Sequence, residues 1–276
     1  MTRISGAGRF LPLHFRQKRV PCWKMAQKGH IRLNKFLAER GVASRRGADT
    51  LIEEGRVSVD GELAQPGLLI DPRAAVVLVD GRRITNQRAP RLVIMVNKPR
   101  GFVCTHRDPH ADRTIFDLLA PDLQRERLLC VGRLDKESEG LVILTNDGDL
   151  AQRVAHPRHG VRKRYRLELD KPFDHQHIGR LRRGITWEGE RLQAERVLPD
   201  PTPNSEAAFR VEVHLNEGRK HEIRRLFYAF GYDVRRLKRV QIGDLVLKGL
   251  AKGQWKILGR GEIDRLTAND VFPSKT

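Results

Sequence analysis

Apolar positions in the first third of the chain recur at the spacing of short helices and then of short strands. Between residues 31 and 54 they fall at helical intervals, with Gly41 ending one helix and Ser44 placed to cap the next. Two apolar runs follow, at 57–59 and 76–79, and each ends in an Asp-Gly pair typical of a hairpin turn. Two short helices and a small sheet bury too little apolar surface for an independent enzyme, so the pattern predicts a binding module.

The rest of the chain mixes strand and helix patterns without strict alternation. Apolar runs at 93–96, 128–131 and 141–145 are typical of buried strands, while 209–215 alternates as a half-buried strand does. A further strand is predicted at 164–169, and helices are predicted from Thr114, after Asp147, near 175–183 and near 220–230. This succession predicts an α+β fold with a mixed, mainly antiparallel sheet flanked by helices.

These patterns divide the chain into four parts. Residues 1–29 hold seven basic residues and no acid, which favours an unstructured basic arm. Two other interpretations are a transit peptide and a leader that precedes a true start at Met25. Residues 30–88 form the small module, 92–260 the larger domain, and 261–276 a C-terminal tail.

The net charge indicates the class of binding partner, and the cysteine content indicates the cellular compartment. A formal net charge of +19 favours a polyanion, with nucleic acid first. No apolar run reaches the ~18 residues of a membrane helix, so a membrane partner is not expected. The three cysteines, Cys22, Cys104 and Cys130, include no C-x-x-C pair, which argues against a zinc ribbon or a disulfide scaffold and favours the reducing cytoplasm.

The first candidate for chemistry is Asp135, in a polar turn between two apolar runs. Such a turn can hold an acid at the lip of a cleft, although a turn aspartate that only caps backbone amides is the plain alternative. Arg224 lies at the border of the apolar stripe of the helix near 220–230 and could be partly buried beside an acid. An ordinary arginine reaching from the helix to solvent is its alternative.

Aromatic and acidic residues supply two further candidate sites. Tyr165 stands among basic residues at 162–166, a composition that stacks a nucleobase and holds its phosphates, although packing on the sheet would also explain it. Convergent carboxylates would be needed for a magnesium site. Nothing in the sequence fixes the nearby acids on one face, so no metal site is predicted; these acids are Asp135, Glu137, Glu139, Asp147 and Asp149.

Several motifs taken in order resemble the pseudouridine synthases. Gly132-Arg133-Leu134-Asp135 is followed by Gly140-Leu141 and by Thr145-Asn146-Asp147-Gly148, as in the signature of that family. The segments 97–101, 163–165, 217–225, 236–240 and 243–245 resemble the other motifs of the family. Residues 31–79 resemble the αL RNA-binding domain of the S-four type. The resemblance extends from residue 31 to about residue 258.

The resemblance implies an isomerase that cleaves the N-glycosidic bond of uridine, turns the base and rejoins it through carbon. It makes Asp135 the carboxylate acting on the sugar or the base, with Arg224 as its ion-pair partner and Tyr165 stacked on the uracil. No metal or other cofactor is expected, since nothing is lost or gained in the reaction. Residues expected to bind the substrate are Arg133, Leu237, Lys98 and Arg219, and those expected to bind RNA are Arg32, Lys35, Arg45 and Arg46.

The order of the motifs is most similar to the branch of the family that modifies ribosomal RNA at a single uridine, and above all to its large-subunit members. The expected partner is therefore large-subunit (23S) ribosomal RNA or its precursor, met by a monomer without a small-molecule cofactor. Lys220-His221-Glu222 leans towards a sister branch, which leaves 16S ribosomal RNA or tRNA as alternatives. Alternatives of other classes are a non-catalytic ribosome assembly factor that binds RNA and a metal-dependent RNA hydrolase.

Overall fold

The computed structural model describes residues 29–87, 90–105, 113–200 and 209–268. It separates into two compact units: the smaller ends at Asn86, and the larger holds Gln87 onwards together with Glu39–Gly41. The basic arm predicted at 1–29 lies outside the described residues, apart from residue 29. Among the described residues, no helix is both long and apolar enough to cross a membrane.

The smaller unit has two helices and short strands around one apolar core. Its elements are β1 (Ile31–Arg32), α1 (Leu33–Glu39), α2 (Arg45–Glu53), β2 (Val57–Val59), β3 (Glu62–Leu63), β4 (Leu69–Ile70), β5 (Val77–Val79) and β6 (Arg82–Arg83). The predicted cap is present, because the Ser44 hydroxyl accepts a hydrogen bond from the Gly47 amide at 3.0 Å. Leu33, Phe36 and Ile52 face the core, so both helices present their predicted apolar sides inwards.

The larger unit is built on a sheet of nine described strands in the order β13-β14-β10-β15-β9-β7-β17, with β16 added to β15 and β8 to β9. These strands are β7 (Val93–Lys98), β8 (Leu129–Val131), β9 (Glu139–Thr145), β10 (Lys163–Leu169), β13 (Arg196–Asp200), β14 (Arg210–Leu215), β15 (Val234–Ile242), β16 (Leu245–Val246) and β17 (Trp255–Ile257). A separate hairpin joins β11 (Ile185–Trp187) to β12 (Glu190–Leu192). Among the described pairings of the large sheet, only β9 with β15 is parallel. The predicted mixed, mainly antiparallel α+β fold is confirmed.

Helices cover both faces of this sheet. They are α3 (Pro121–Gln124), α4 (Gly148–Ala155), α5 (His177–Arg183), α6 (Glu222–Tyr228) and α7 (Arg260–Thr267), with single 3-10 turns at Ile115–Leu118 and Pro157–His159. Successive residues of a strand point to opposite faces. Accordingly Ile94 packs in the core that contains residues of α5 and α6, whereas Val93 packs in the core that contains residues of α4 and α7.

Two predicted helices are shorter in the structure than in the sequence pattern. The helix predicted from Thr114 is a single 3-10 turn, held by the Thr114 amide donating to the Asp117 carboxylate at 2.6 Å. The helix predicted near 220–230 begins only at Glu222, because His221 has a left-handed backbone with φ of +52°. A left-handed residue cannot continue a right-handed helix, so His221 lies in the loop ahead of α6.

The prediction of a C-terminal tail at 261–276 is wrong for residues 261–267. Residues there form α7, and Leu266 of this helix is fully buried in the core shared with α4. The helix begins with the Glu262 carboxylate accepting from the Gly259 amide at 3.3 Å. The apolar pattern of this segment is sparse and did not predict the helix, since Ile263 and Leu266 are its residues in the apolar core.

Candidate active site

A cleft of about 430 Å³ opens in the larger unit where the turn after β8, strands β10 and β15, and the segment before α6 meet. Its volume is within the range of small-molecule and nucleoside pockets. The structure brings together here five of the residues that sequence analysis singled out, namely Arg133, Asp135, Tyr165, Arg219 and Leu237. Asp135 is 39% exposed at its side chain, and Tyr165 and Leu237 form the buried floor.

The turn that carries Asp135 is fixed from below by a buried arginine. Arg239 of β15 is 1% exposed. Its guanidinium donates to the carbonyl of Gly132 and, through Nε at 2.7 Å, to the carbonyl of Leu141. Gly132 itself has a φ of +61°, a left-handed conformation that glycine adopts without strain. A cation donating to backbone carbonyls thus sets the orientation of the turn.

Lys98 holds the same turn from a second side, which corrects its predicted role in substrate binding. Its side chain is 0% exposed, and Nζ donates to the carbonyls of Ser138 at 2.6 Å, Pro99 at 3.0 Å and Asp135 at 3.1 Å. Desolvation lowers the pKa of this amine. An amine whose donors are taken up by backbone carbonyls is a support for the turn and has no face towards a substrate.

Arg224 does not make the predicted ion pair with Asp135. Its Nη1 donates to the carbonyl of Val234 at 2.5 Å, and Nη2 reaches the carbonyl of Glu137 at 3.5 Å. The carboxylate of Asp135 instead lies 3.3 Å from Nε2 of His221. The family resemblance implies Arg224 as the partner, but the structure places His221, in the loop directly ahead of α6, against this carboxylate.

His221 is therefore a site residue that sequence reasoning missed. Its left-handed backbone is unusual for a residue with a side chain and costs free energy on the order of 1–3 kcal/mol. Strain of this kind persists where the surroundings hold a residue in place, often at functional sites. Periodicity could not reveal it, since the rule of about 100° per residue applies only inside a helix.

Two further titratable groups line the cleft deeper in the protein. Lys163 is 3% exposed and lies on the same face of β10 as Tyr165, with Nζ donating to the carbonyl of Val161 at 3.1 Å. Desolvation, helped by the charge of Arg239, lowers the pKa of Lys163 to about 8. Desolvation also raises the pKa of Glu222, whose carboxylate accepts from the Arg219 amide at 2.9 Å. Both groups are thus shifted towards their neutral forms.

The acidic residues weighed as a metal site have other partners. Glu139 pairs with Arg236 at 2.7 Å and with Lys252 at 2.9 Å. Asp147 caps α4 by accepting from the Leu150 amide at 2.9 Å. Within the described ranges, no group of three or more His, Cys, Asp or Glu side chains is arranged to hold a metal ion.

The candidate RNA-binding residues of the smaller unit lie at its surface to different degrees. Arg45 and Arg46 are exposed in the first turn of α2, and Arg32 is exposed on β1. Lys35 on α1 is half-buried. Arginines in the first turn of a helix oppose its dipole, a placement that a bound phosphate would relieve.

Comparison with protein families decides what kind of cleft this is. Residues 92–229 match the family model described as RNA pseudouridylate synthase. The chain belongs to this family. Residues 31–76 match the S4 domain, so the smaller unit is the RNA-binding type of module that the sequence resembles. The family predicted from the motifs is confirmed, and with it an enzyme that isomerises uridine in RNA.

Relatives of this pseudouridine synthase cover most of its length. An uncharacterised RNA pseudouridine synthase of Aquifex aeolicus is 40% identical over 240 residues, which is 86% of this chain and 93% of the relative. The ribosomal large subunit pseudouridine synthase B of Vibrio cholerae is 36% identical over 239 residues, covering 85% of this chain and 74% of the relative. A crystal structure of a pseudouridylate synthase superposes with a TM-score of 0.61 at 29% identity, covering 86% of this chain and 99% of that one.

Proposed function

We propose that this synthase converts one uridine of large-subunit (23S) ribosomal RNA to pseudouridine, acting as a monomer in the cytoplasm. The observation that carries the proposal is the placement of Asp135 at the mouth of a cleft floored by Tyr165 and Leu237. The choice of RNA is supported by the Vibrio cholerae relative, whose name gives the large ribosomal subunit as its target.

In the proposed reaction an everted uridine enters the cleft with its base against Tyr165 and Leu237. Cleaving the N1–C1′ bond builds positive charge at C1′, which the carboxylate of Asp135 traps or stabilises. Arg133 and Arg219 are cations on the cleft wall and would hold the backbone phosphates beside the everted nucleotide. Everting a base costs a few kcal/mol, which stacking and these phosphate contacts offset.

Mapping of pseudouridines in total RNA tests the assignment. Cells that lack this chain are expected to lose one pseudouridine in 23S ribosomal RNA, and expression of the wild-type chain from a plasmid is expected to restore it. Loss of a pseudouridine in 16S ribosomal RNA or tRNA would move the enzyme to the sister branch. An unchanged pattern in all three RNAs would refute the proposed substrate.

The smaller unit is proposed to bind ribosomal RNA through Arg45 and Arg46. We expect Arg45→Ala to reduce the salt dependence of RNA affinity by about one unit in the slope of log K against log salt, because one phosphate contact is lost. Arg56→Ala is the matched control, since Arg56 is already paired with Asp80 at 2.7 Å. Filter binding between 50 and 300 mM salt, chosen to span about 14 Å to 6 Å of screening length, gives both slopes. Equal slopes for the two variants would contradict this interface.

A further inference from the structure

The proposed reaction removes a proton from C5 of the uracil, and the role given to the Asp135 carboxylate does not include this step. Pseudouridine is joined through C5, so the hydrogen on C5 must leave as a proton, and N1 must gain one once its bond to the sugar is gone. General bases that carry out such a step are positioned side chains with a free electron pair near neutral pH. Asp135 acts at C1′ on the sugar, whereas this proton leaves from C5 of the base, so a second group beside the base is needed.

We propose that Lys163 is the catalytic base that accepts the C5 proton. This inference rests on the proposed function, because it concerns the nucleoside bound in that same cleft. Lys163 and Tyr165 are two residues apart on one strand and face the same side of the sheet, so the amine lies beside the ring that would stack on the uracil.

The surroundings of Lys163 are suited to a neutral amine. Its neighbour on β14 in the strand register is Leu215, and only 3% of the residue is exposed. A buried ammonium needs acceptors for three hydrogens, whereas a neutral amine keeps an electron pair for a proton. The charged groups that act on it are Arg239 from β15, Glu222 from α6 and Glu217 from the loop ahead of α6.

Two neighbouring side chains of the cleft, His221 and Glu222, are less well placed for this step. His221 is half exposed and lies against Asp135 at 3.3 Å, on the side of the cleft where the sugar would be. Glu222 is buried, and its carboxylate is held by the Arg219 amide. Glu222 interacts electrostatically with Lys163. In its ionised form, the Glu222 carboxylate stabilises the ammonium that forms when Lys163 takes up a proton.

The step balances without any added reagent. After C5 has bonded to C1′, the C5–H bond breaks and its electron pair re-forms the C5–C6 double bond. The C6–N1 double-bond pair moves to N1, which takes up a proton, and the proton from C5 rests on Nζ of Lys163. Release of that proton to N1 or to water returns the amine to its starting state.

The pH dependence follows from the state of the amine. Because the pKa of Lys163 is lowered to about 8, the fraction of neutral amine rises as the pH rises towards 8 and levels off above it. The value of kcat/KM for wild-type enzyme is expected to rise over the same range. In Lys163→Met this limb of the profile should be absent, since a thioether does not titrate.

Three substrates separate a base from a residue that only shapes the pocket. A ribosomal RNA fragment with uridine, 5-deuteriouridine or 5-fluorouridine at the target is reacted with excess enzyme, and nucleosides are measured by mass spectrometry. Lys163→Met should slow uridine conversion by about 10²-fold or more and show a primary isotope effect with 5-deuteriouridine. Its rate with 5-fluorouridine should match the wild-type rate, because fluorine does not leave C5 and no base is required.

Controls make each outcome decisive. Lys248→Met removes an exposed lysine outside the cleft, and Lys163→Arg keeps a cation that cannot accept the proton. An equal loss of rate with uridine and 5-fluorouridine, or no loss with either, would overturn the proposal. Wild-type enzyme that leaves uridine unchanged in the fragment would instead refute the proposed function itself, so the two failures are distinguishable.

Discussion

Asp135→Asn is expected to abolish pseudouridine formation while leaving RNA affinity within about twofold of wild type. Asparagine keeps the shape of the side chain but removes the negative charge that C1′ requires, and losses of about 10⁴-fold or more are typical when a group acting directly on the reacting atoms is removed. The fold should be unaffected, because the carboxylate is 39% exposed and its pair with His221 is of the exposed kind, worth about 0–1 kcal/mol.

Single-turnover conversion of uridine and filter binding of the same RNA test both halves of this expectation. Glu137→Gln is the matched control: it removes a charge from the same turn, but the Glu137 carboxylate points to Arg100 at 2.8 Å. Wild-type turnover by Asp135→Asn would end the assignment of this residue. The wild-type chain in the same assay tests the alternative of an assembly factor. A chain with only that role would form no pseudouridine.

The sequence indicated residues that line the cleft, but not the buried side chains that hold the Asp135 turn in place. Local patterns, a polar turn between apolar runs and an aromatic among cations, mark Asp135 and Tyr165 as candidates, and the family resemblance gives them their roles. No local pattern indicates the role of Arg239, since the Gly132 carbonyl to which it donates is 107 residues away along the chain. A strand pattern indicates which face a side chain takes, but it does not indicate which distant carbonyl that side chain will meet.

Arg224 and His221 illustrate a second limit of the sequence. The helical pattern over 220–230 predicts a partly buried Arg224, and its side chain is partly buried. The ion pair with Asp135 that the family resemblance implies is wrong, because Arg224 donates to the carbonyls of Val234 and Glu137 instead. The helix itself begins only at Glu222. The boundary depends on the left-handed backbone of His221, and single left-handed residues other than glycine leave little trace in sequence. The start of α6 thus leaves His221 in the loop, where its imidazole lies against Asp135.

Gly140→Ala is expected to cost more stability than any of the other single substitutions considered for this chain. Gly140 has a φ of +107°, and a Cβ built there would lie 2.2 Å from the backbone oxygen of Arg239. This is the point where β9 and β15 pair in parallel, both flanked by hydrogen-bonded strands, so neither backbone can move aside cheaply. We expect a loss above about 4 kcal/mol in the free energy of unfolding, the range reserved for such clashes and strain.

Gly249→Ala separates the clash from the backbone strain. Gly249 also has a positive φ, of +68°, but nothing lies within 4 Å of a Cβ added there, so its substitution should cost only about 1 kcal/mol from strain alone. Urea denaturation followed by hydrogen exchange at β9 measures both variants. Because Arg239 also orients the Asp135 turn, any folded fraction of Gly140→Ala should have reduced activity as well. If the two variants had similar stability, strands β9 and β15 would be able to move apart at residue 140. The Asp135 turn would then not depend on their close approach.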